Sequence, residues 1–359
     1  MKGAFALYRY PYANEYTLMK QTSGEPLTLS SCKELNGKSG FIFAPFRHTF
    51  GLPFLLLSPN IVEKHIVDEL VDFDEVLFHK RNIDGERHKY EKVFSRFHDK
   101  LEIGEFSKIV LSRCSDEEAV SPLDIEKLFM RACVLYPRMF IALVSMPQCG
   151  TWLMATPEIL LENNKDTWHT MALAGTMPID EYKDSDMQLA ERKDAGDIHE
   201  WSTKNIREQE YVSTYIKECL YGYSSAINET GPYTARAGLV KHLRSDFYFK
   251  IDVMDIGKLI EKLHPTPAVC GIPKSDAYNF ICENEAYDRK YYSGFAGPLN
   301  IGEEGTHLYV TLRCMQIDKC KCRLYAGGGL LADSEVYDEW LETEAKMDTM
   351  RRCLSIKRM

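Results

Sequence analysis

Near the C-terminus, Glu339, Glu342 and Lys346 recur at steps of three and four. They run one position off the seam Val336, Trp340, Thr343, Met347, Met350 and Leu354, so a helix would carry them on the shoulder of its buried face. Two carboxylates and an ammonium there suit a hard divalent cation and an anionic ligand. A plain i,i+4 Glu–Lys pair on a solvated face has the same spacing. Glu208 precedes Val212 by four residues and extends a second apolar stripe, Val212, Tyr215, Ile216, Cys219 and Leu220. It could be a helix-dipole partner. With a glutamate from the last helix it could instead form a magnesium site that leaves positions for water and substrate oxygens. The stretch AGGGLL (326–331) reads as a turn after an apolar strand, whose glycines either let N–H groups approach an anion or simply reverse the chain. It lacks the spacing of a dinucleotide fingerprint and the G-K-[ST] of a P-loop. Arg313, closing LYVTLR, could take a carboxylate in two-point fashion. Lys108, opening KIVLSR, could act as a general base if partly buried. Taken singly, each could equally be a snorkelling surface cation.

These residues need elements to hold them. FIFAPF and FLLLS read as strands, and EKHIVDELVDF as a helix. ERHKYEKVFSRFHDKLEIG reads as a second helix, with Tyr90, Val93, Phe94, Phe97 and Leu101 apolar and Gly104 at its stop. KIVLSR is a buried strand, and a helix follows over 121–137 with Ser121 as N-cap and Pro122 at its first position. FIALVSM, TWLMATPEILLE and WHTMALAGTMP read as successive strands. IDEYKDSDMQLAERKDAGD reads as an exposed helix or flap, and KNIREQEYVSTYIKECLYGY as a long helix. SGFAGPLNI, HLYVTLRCMQI and CRLYAGGGLL return to strands, before a last helix from about Ser334 to Cys353. Without a strict β-α-β rhythm, this order implies an α+β fold with antiparallel sheets. No linker-like segment divides the 359 residues, so one large domain is expected over 1–359.

Composition narrows the function. The 359 residues carry 44 Lys+Arg against 53 Asp+Glu, a net charge of -9. That balance excludes non-specific binding to a nucleic-acid backbone. The eleven cysteines are scattered, and the tight pair Cys320 and Cys322 lacks the C-x-x-C spacing of a structural zinc site. The chain shows neither a secretory apolar region nor a run of about 20 apolar residues. A cytoplasmic protein with reduced thiols and no membrane partner is expected.

The segments KIVLSR, TPEILL, ALAGTMP, KNIREQE, LHPTPAVCGIP, RKYYSGFAGP, YVTLRC, LYAGGGLL and EWLETEAK occur in one order over residues 108–346. This series resembles the chorismate-utilising enzymes: isochorismate synthases, salicylate synthases, and the large subunits of anthranilate and aminodeoxychorismate synthases. The resemblance is recognisable over about 100–353 and loose over 1–100. It implies an α+β domain whose two large antiparallel sheets pack as a sandwich with helices outside, around a cleft for chorismate and one Mg²⁺. By motif, Lys108 would be the general base that activates water and Glu158 the acid that protonates the leaving hydroxyl. Glu208 and Glu342 would hold the metal, with Glu339 near it through water. Arg313, Gly327 and Lys346 would hold the substrate carboxylates, while Gly175, Thr176 and Ala268 line the ring. The chain departs from the family at Glu208-Gln209, where Glu-His is usual, which touches the contact behind the metal ligand.

Aminodeoxychorismate synthases carry a lysine where this chain has Ala174, and the inhibitor-binding L-L-E-S motif of anthranilate synthases is absent. LHPTPAVCGIP, with His264 as a further substrate-site residue, matches the isochorismate synthase form. The resemblance therefore implies conversion of chorismate to isochorismate for menaquinone synthesis, by a monomer needing no glutaminase subunit. The alternatives are a salicylate synthase, a siderophore-pathway isochorismate synthase, and a non-catalytic chorismate-binding regulator.

Overall fold

In the computed structural model, which describes residues 3–178, 200–224, 226–237 and 240–359, the apolar runs at 40–44 and 54–57 are strands buried at every position. Such strands need cover on both faces. In chain order the elements begin with β1 (Ala4–Arg9), β2 (Glu15–Gln21), β3 (Leu27–Leu29), β4 (Gly40–Ala44), β5 (Phe54–Leu57), β6 (Ile61–Ile66) and β7 (Val76–Phe78). Then come α1 (Ile83–Glu102), β8 (Lys108–Glu118), α2 (Ile125–Leu135), β9 (Phe140–Met146), β10 (Gly150–Thr156), β11 (Ile159–Asn164) and β12 (Thr167–Pro178). After α3 (Thr203–Leu220) follow β13 (Ile227–Ala237), β14 (Val240–Phe249), α4 (Ile256–Leu263), β15 (Gly271–Ile272) and α5 (Lys274–Asn284). The chain ends with β16 (Phe295–Leu299), β17 (His307–Val310), β18 (Cys314–Asp318), β19 (Lys321–Leu330), α6 (Val336–Leu354) and β20 (Ile356–Arg358).

Two nine-stranded sheets result, in the orders β15-β8-β19-β18-β10-β9-β1-β2-β6 and β13-β14-β12-β11-β17-β16-β4-β5-β3. Their pairings are antiparallel, as the sequence implied. Phe41, Phe43, Tyr8, Phe140, Trp152 and Tyr309 fill the space between the sheets. Ile42 and Ala44, pointing the other way from β4, join Ile216, Leu259 and Leu263 beneath α3 and α4. On the outer face of the first sheet, α2 and α6 bury Phe129, Met347 and Met350. The α1 residues Tyr90, Val93, Phe94, Phe97 and Leu101 pack with Ile281 of α5 and Trp340 of α6. The expected sandwich with helices outside is the observed fold.

The chain crosses between the sheets twice beside the same point. β10 lies in the first sheet and β11 in the second, with Pro157 and Glu158 between them. β17 lies in the second and β18 in the first, with Thr311, Leu312 and Arg313 between them. The crossings are tied by Val310 N–H to the Glu158 carbonyl at 2.9 Å and Ala155 N–H to the Arg313 carbonyl at 3.1 Å. HLYVTLRCMQI is thus two strands, broken where Arg313 takes φ 45°, a conformation costing a non-glycine residue about 1–2 kcal/mol.

Other expectations are corrected. The stretch 63–73 is not a helix: β6 pairs with β2 at the sheet edge, and the chain then runs on without helix. Glu63, Lys64 and His65 give that edge the charge that discourages further pairing, and His65 stacks on Tyr16 at 5.3 Å. The helix expected from Ser121 starts at Ile125, because the Asp124 side chain accepts from the Glu126 and Lys127 amides and is the better placed cap. AGGGLL is no turn, since Gly327, Gly328 and Gly329 lie inside β19, in register with Ser112, Leu111 and Val110 of β8. The segment 179–197, read as a helix or flap, lies outside the described residues. Among the described residues, no helix is long and apolar enough to cross a membrane.

Candidate active site

The glycines of β19 make sense from what lies over them. A Cβ on Gly329 would meet Glu208 Oε1 at 2.1 Å and Lys108 Cε at 2.8 Å. A Cβ on Gly328 would meet Glu339 Oε2 at 2.8 Å and Glu342 Oε1 at 3.4 Å. A Cβ on Gly327 would come within 2.9 Å of the Tyr292 hydroxyl. The strand is bare so that carboxylates from two helices can lie against its backbone, not to form a nest of amides. Its register with β18 ends at Tyr325, which leaves this part of β19 open along one edge for α3 and α6.

Each of the three carboxylates faces a lysine. Lys108, fully buried, brings Nζ to 2.9 Å from Glu208 Oε1, an ion pair out of line for a hydrogen bond. Lys346 Nζ donates to Glu342 Oε1 at 2.6 Å and to the Gly327 carbonyl at 2.9 Å. Lys204, one turn before Glu208, donates to Glu339 Oε1, which also accepts from Ser334 Oγ at 2.8 Å. Burial, then the neighbouring Glu342, pushes the Glu339 carboxyl up to about 7. Burial would also raise Glu208, but Lys108, with Lys346 and Lys204, outweighs it and holds that carboxyl below its usual range.

This donor set fits a hard divalent cation. Glu339 Oε2 is buried with no partner, beside Glu342 Oε1 over Gly328. Oxygen donors of this kind, with room left for water and substrate, are what Mg²⁺ takes. With the lysines engaged as they are, no group of three His, Cys, Asp or Glu among the described residues is gathered closely enough to hold an ion without rearrangement.

The two sheet crossings supply the rest. Glu158 is 3% exposed, and burial pushes its carboxyl up to about 8 against the pull of Lys108, Arg313 and Lys346. Arg313, turned inward by its left-handed backbone, donates through Nη2 to His242 Nε2 at 2.8 Å, while its buried Nη1 has no partner. His242 Nδ1 lies 2.8 Å from the Gly175 carbonyl. A carbonyl only accepts, so Nδ1 carries the proton and Nε2 accepts from the guanidinium. Burial, then Arg313 and Lys346, holds this imidazole neutral, well below the usual histidine range. Gly175 takes φ 69°, and a Cβ there would meet the Asn205 carbonyl of α3 at 3.0 Å.

Glu158, Glu208, Arg313 and Lys346 therefore surround one narrow cavity of about 50 Å³, with Gly175, Thr176, Ala268 and Gly327 also on its wall. Lys108 reaches that wall through Glu208, while Glu339 and Glu342 stand behind Gly328. His264 faces elsewhere: its Nε2 meets the Pro45 carbonyl at 3.2 Å, and it lines a neighbouring cavity. Gln209, in place of the family histidine, donates to the Ala172 carbonyl and Ser245 Oγ, which ties α3 to β12 and β14. Sequence reasoning missed His242, Lys204 and Tyr292. Lys204 had a signal, since it stands four residues before Glu208. His242 had none, because its place depends on β14 lying beside β12.

Isochorismate synthase MenF of Escherichia coli is 29% identical over 254 residues, covering 71% of this chain and 57% of that protein. Isochorismate synthase EntC of the same organism is 29% identical over 297 residues, covering 82% and 69%. This chain thus matches little more than half the length of one relative and about two thirds of the other. The solved structure of MenF, the menaquinone-specific isochorismate synthase from E. coli, superposes with a TM-score of 0.81 at 20% identity, over 98% of this chain and 89% of that one. The sequence pattern of the chorismate binding enzymes matches residues 63–355, and the chain belongs to that family.

Proposed function

We propose that this protein is an isochorismate synthase, which adds water at C2 of chorismate and expels the C4 hydroxyl. The observation that carries this reading is Glu158, a buried carboxyl still protonated near neutral pH, sharing a cavity wall with Arg313 and Lys346. Chorismate is a dianion, and an acidic protein must supply local positive charge to receive it. Arg313, with Nη1 free of other partners, and Lys346 are the groups to hold its carboxylates. Lys108, once released from its ion pair with Glu208 and neutral, takes a proton from the attacking water, the ring double bonds shift, and the C4–O bond breaks as Glu158 gives its proton to the departing hydroxyl. One proton is taken up and one released, so isomerisation is balanced. His242 keeps the guanidinium in place from behind.

Glu208 and Glu342, with Glu339 through water, are the residues that would hold Mg²⁺, which supplies positive charge to the ring carboxylate and to the charge that builds there. Water is the nucleophile, so no glutaminase subunit is required. We assign the menaquinone branch, for which the similarity to MenF is the support. We also propose that residues 1–359 act as one domain, because β1 and β4 from the first hundred residues are inner strands of the two sheets. The test is the product profile from chorismate and Mg²⁺, with and without ammonia. Isochorismate with little pyruvate and no anthranilate is expected, whereas abundant pyruvate and salicylate would identify a salicylate synthase.

A further inference from the structure

A second cavity, of about 480 Å³, lies on the other side of the segment that carries Ala268 and Val269 to the catalytic wall. Its lining combines aromatic faces with two specific polar groups. His48 stacks on Phe54 at 5.1 Å, and Tyr278 packs on Phe46 at 5.4 Å. His264 is 9% exposed and has its ring edge on Phe295. Since its Nε2 must donate to the Pro45 carbonyl, its Nδ1 is a bare acceptor, and that atom is buried with no partner. Burial, then Lys274, keeps the ring neutral by lowering it to about 3. Lys274 Nζ donates to the Lys262 and His264 carbonyls at 2.7 and 2.9 Å and lies 5.6 Å from the Tyr215 ring centroid, which leaves one of its three N–H groups without a hydrogen-bond acceptor. Glu261, also on the lining, is paired with Lys33 at 3.4 Å.

We propose that this cavity is a second, non-catalytic binding site for a small hydroxylated aromatic carboxylate. The ring lies against Phe46, Phe54, His48 and Tyr278. The carboxylate takes the remaining Lys274 N–H, and the hydroxyl donates to His264 Nδ1 when a small shift of the imidazole uncovers that atom to the cavity. An unpaired buried acceptor is unfavourable, and a ligand hydroxyl relieves it. An apolar pocket with a few convergent polar groups is the usual form of a small-molecule site. The segment 264–269 gives His264 and Pro265 to this cavity and Ala268 and Val269 to the catalytic one, so the ligand occupies a position from which the catalytic wall can be influenced.

The experiment is calorimetric titration of the full chain with 3- and 4-hydroxybenzoate, and with benzoate and phenol as probes lacking one polar group. A Kd of about 0.1–1 mM is expected for a ligand of this size, and about tenfold weaker binding for benzoate and phenol. Ser275 is exposed on the first turn of α5 and lines the cavity, so Ser275→Trp should fill it without disturbing the fold and weaken binding at least about tenfold. Lys274→Met should weaken carboxylate probes but not phenol. Arg313→Ala, or Lys346→Met, alters only the catalytic cavity and should leave binding intact. Loss of binding in those two with retention in Ser275→Trp would place the probe in the catalytic cavity and overturn the proposal. So would the absence of saturable binding by either hydroxybenzoate.

Discussion

Gly329→Ala separates the needs of the site from the needs of the fold. The added methyl would stand 2.1 Å from Glu208 Oε1 and 2.8 Å from Lys108 Cε. Ordinary contact begins at 3.4 Å, so the Glu208 carboxylate must retreat by about 1.3 Å. Both opposing atoms lie near the tips of long side chains rather than on backbone, and β19 keeps its register with β8, so global stability should change by less than about 1 kcal/mol. Chemistry should suffer far more, because a displacement of about 1 Å can cost about 10²-fold in rate. The assay is isochorismate formation at varied Mg²⁺, with thermal unfolding measured alongside and Gly51→Ala, whose methyl meets nothing within 4 Å, as control. Expected is a fall of about 10²-fold in kcat/KM with a higher Mg²⁺ requirement and a nearly unchanged Tm. Activity within about threefold of the parent, below the expected loss, would refute the claim that β19 is bare to seat Glu208.

Three further outcomes follow from the same geometry. Glu158 must be protonated to act as an acid, so kcat should fall as pH rises through about 8; a rate that climbs steadily past that value would contradict it. The folded chain also keeps this proton, and that of Glu339 up to about 7, over a range where an unfolded glutamate has lost both. Stability without added metal should therefore decrease as pH rises from about 4.5 toward 8, measurable by urea unfolding, and Glu158→Gln should flatten that dependence. Arg313→Ala should raise KM more than it lowers kcat, since it removes a charge-assisted contact to substrate.

The sequence carried the site's parts further than their arrangement. The seam of α6 put Glu339, Glu342 and Lys346 on one shoulder because helical spacing is local. The contact of that shoulder with Glu208 is not local, since it depends on α3 lying against β12 and on the open edge of β19. The glycines were visible but misread: a bare strand and a turn share the same composition, and only the paired β8 register distinguishes them. Residues 63–73 read as a helix in the sequence alone, while β6 is set by backbone pairing to β2. Arg313 was legible as a cation at the end of an apolar run. Its left-handed backbone was not, because that is imposed by the crossing from β17 to β18.

The most direct test of the mechanism is kcat for Glu158→Gln at saturating chorismate and Mg²⁺, at a pH below 8 where the parent carboxyl holds its proton. Glutamine keeps the shape of the protonated acid but has no proton to give to the leaving hydroxyl. If Glu158 is the acid, kcat falls by about 10²–10⁴-fold with substrate binding largely preserved. A kcat within about threefold of the parent, well short of a general acid's contribution, would mean that Glu158 is not the acid and that the site works by another route.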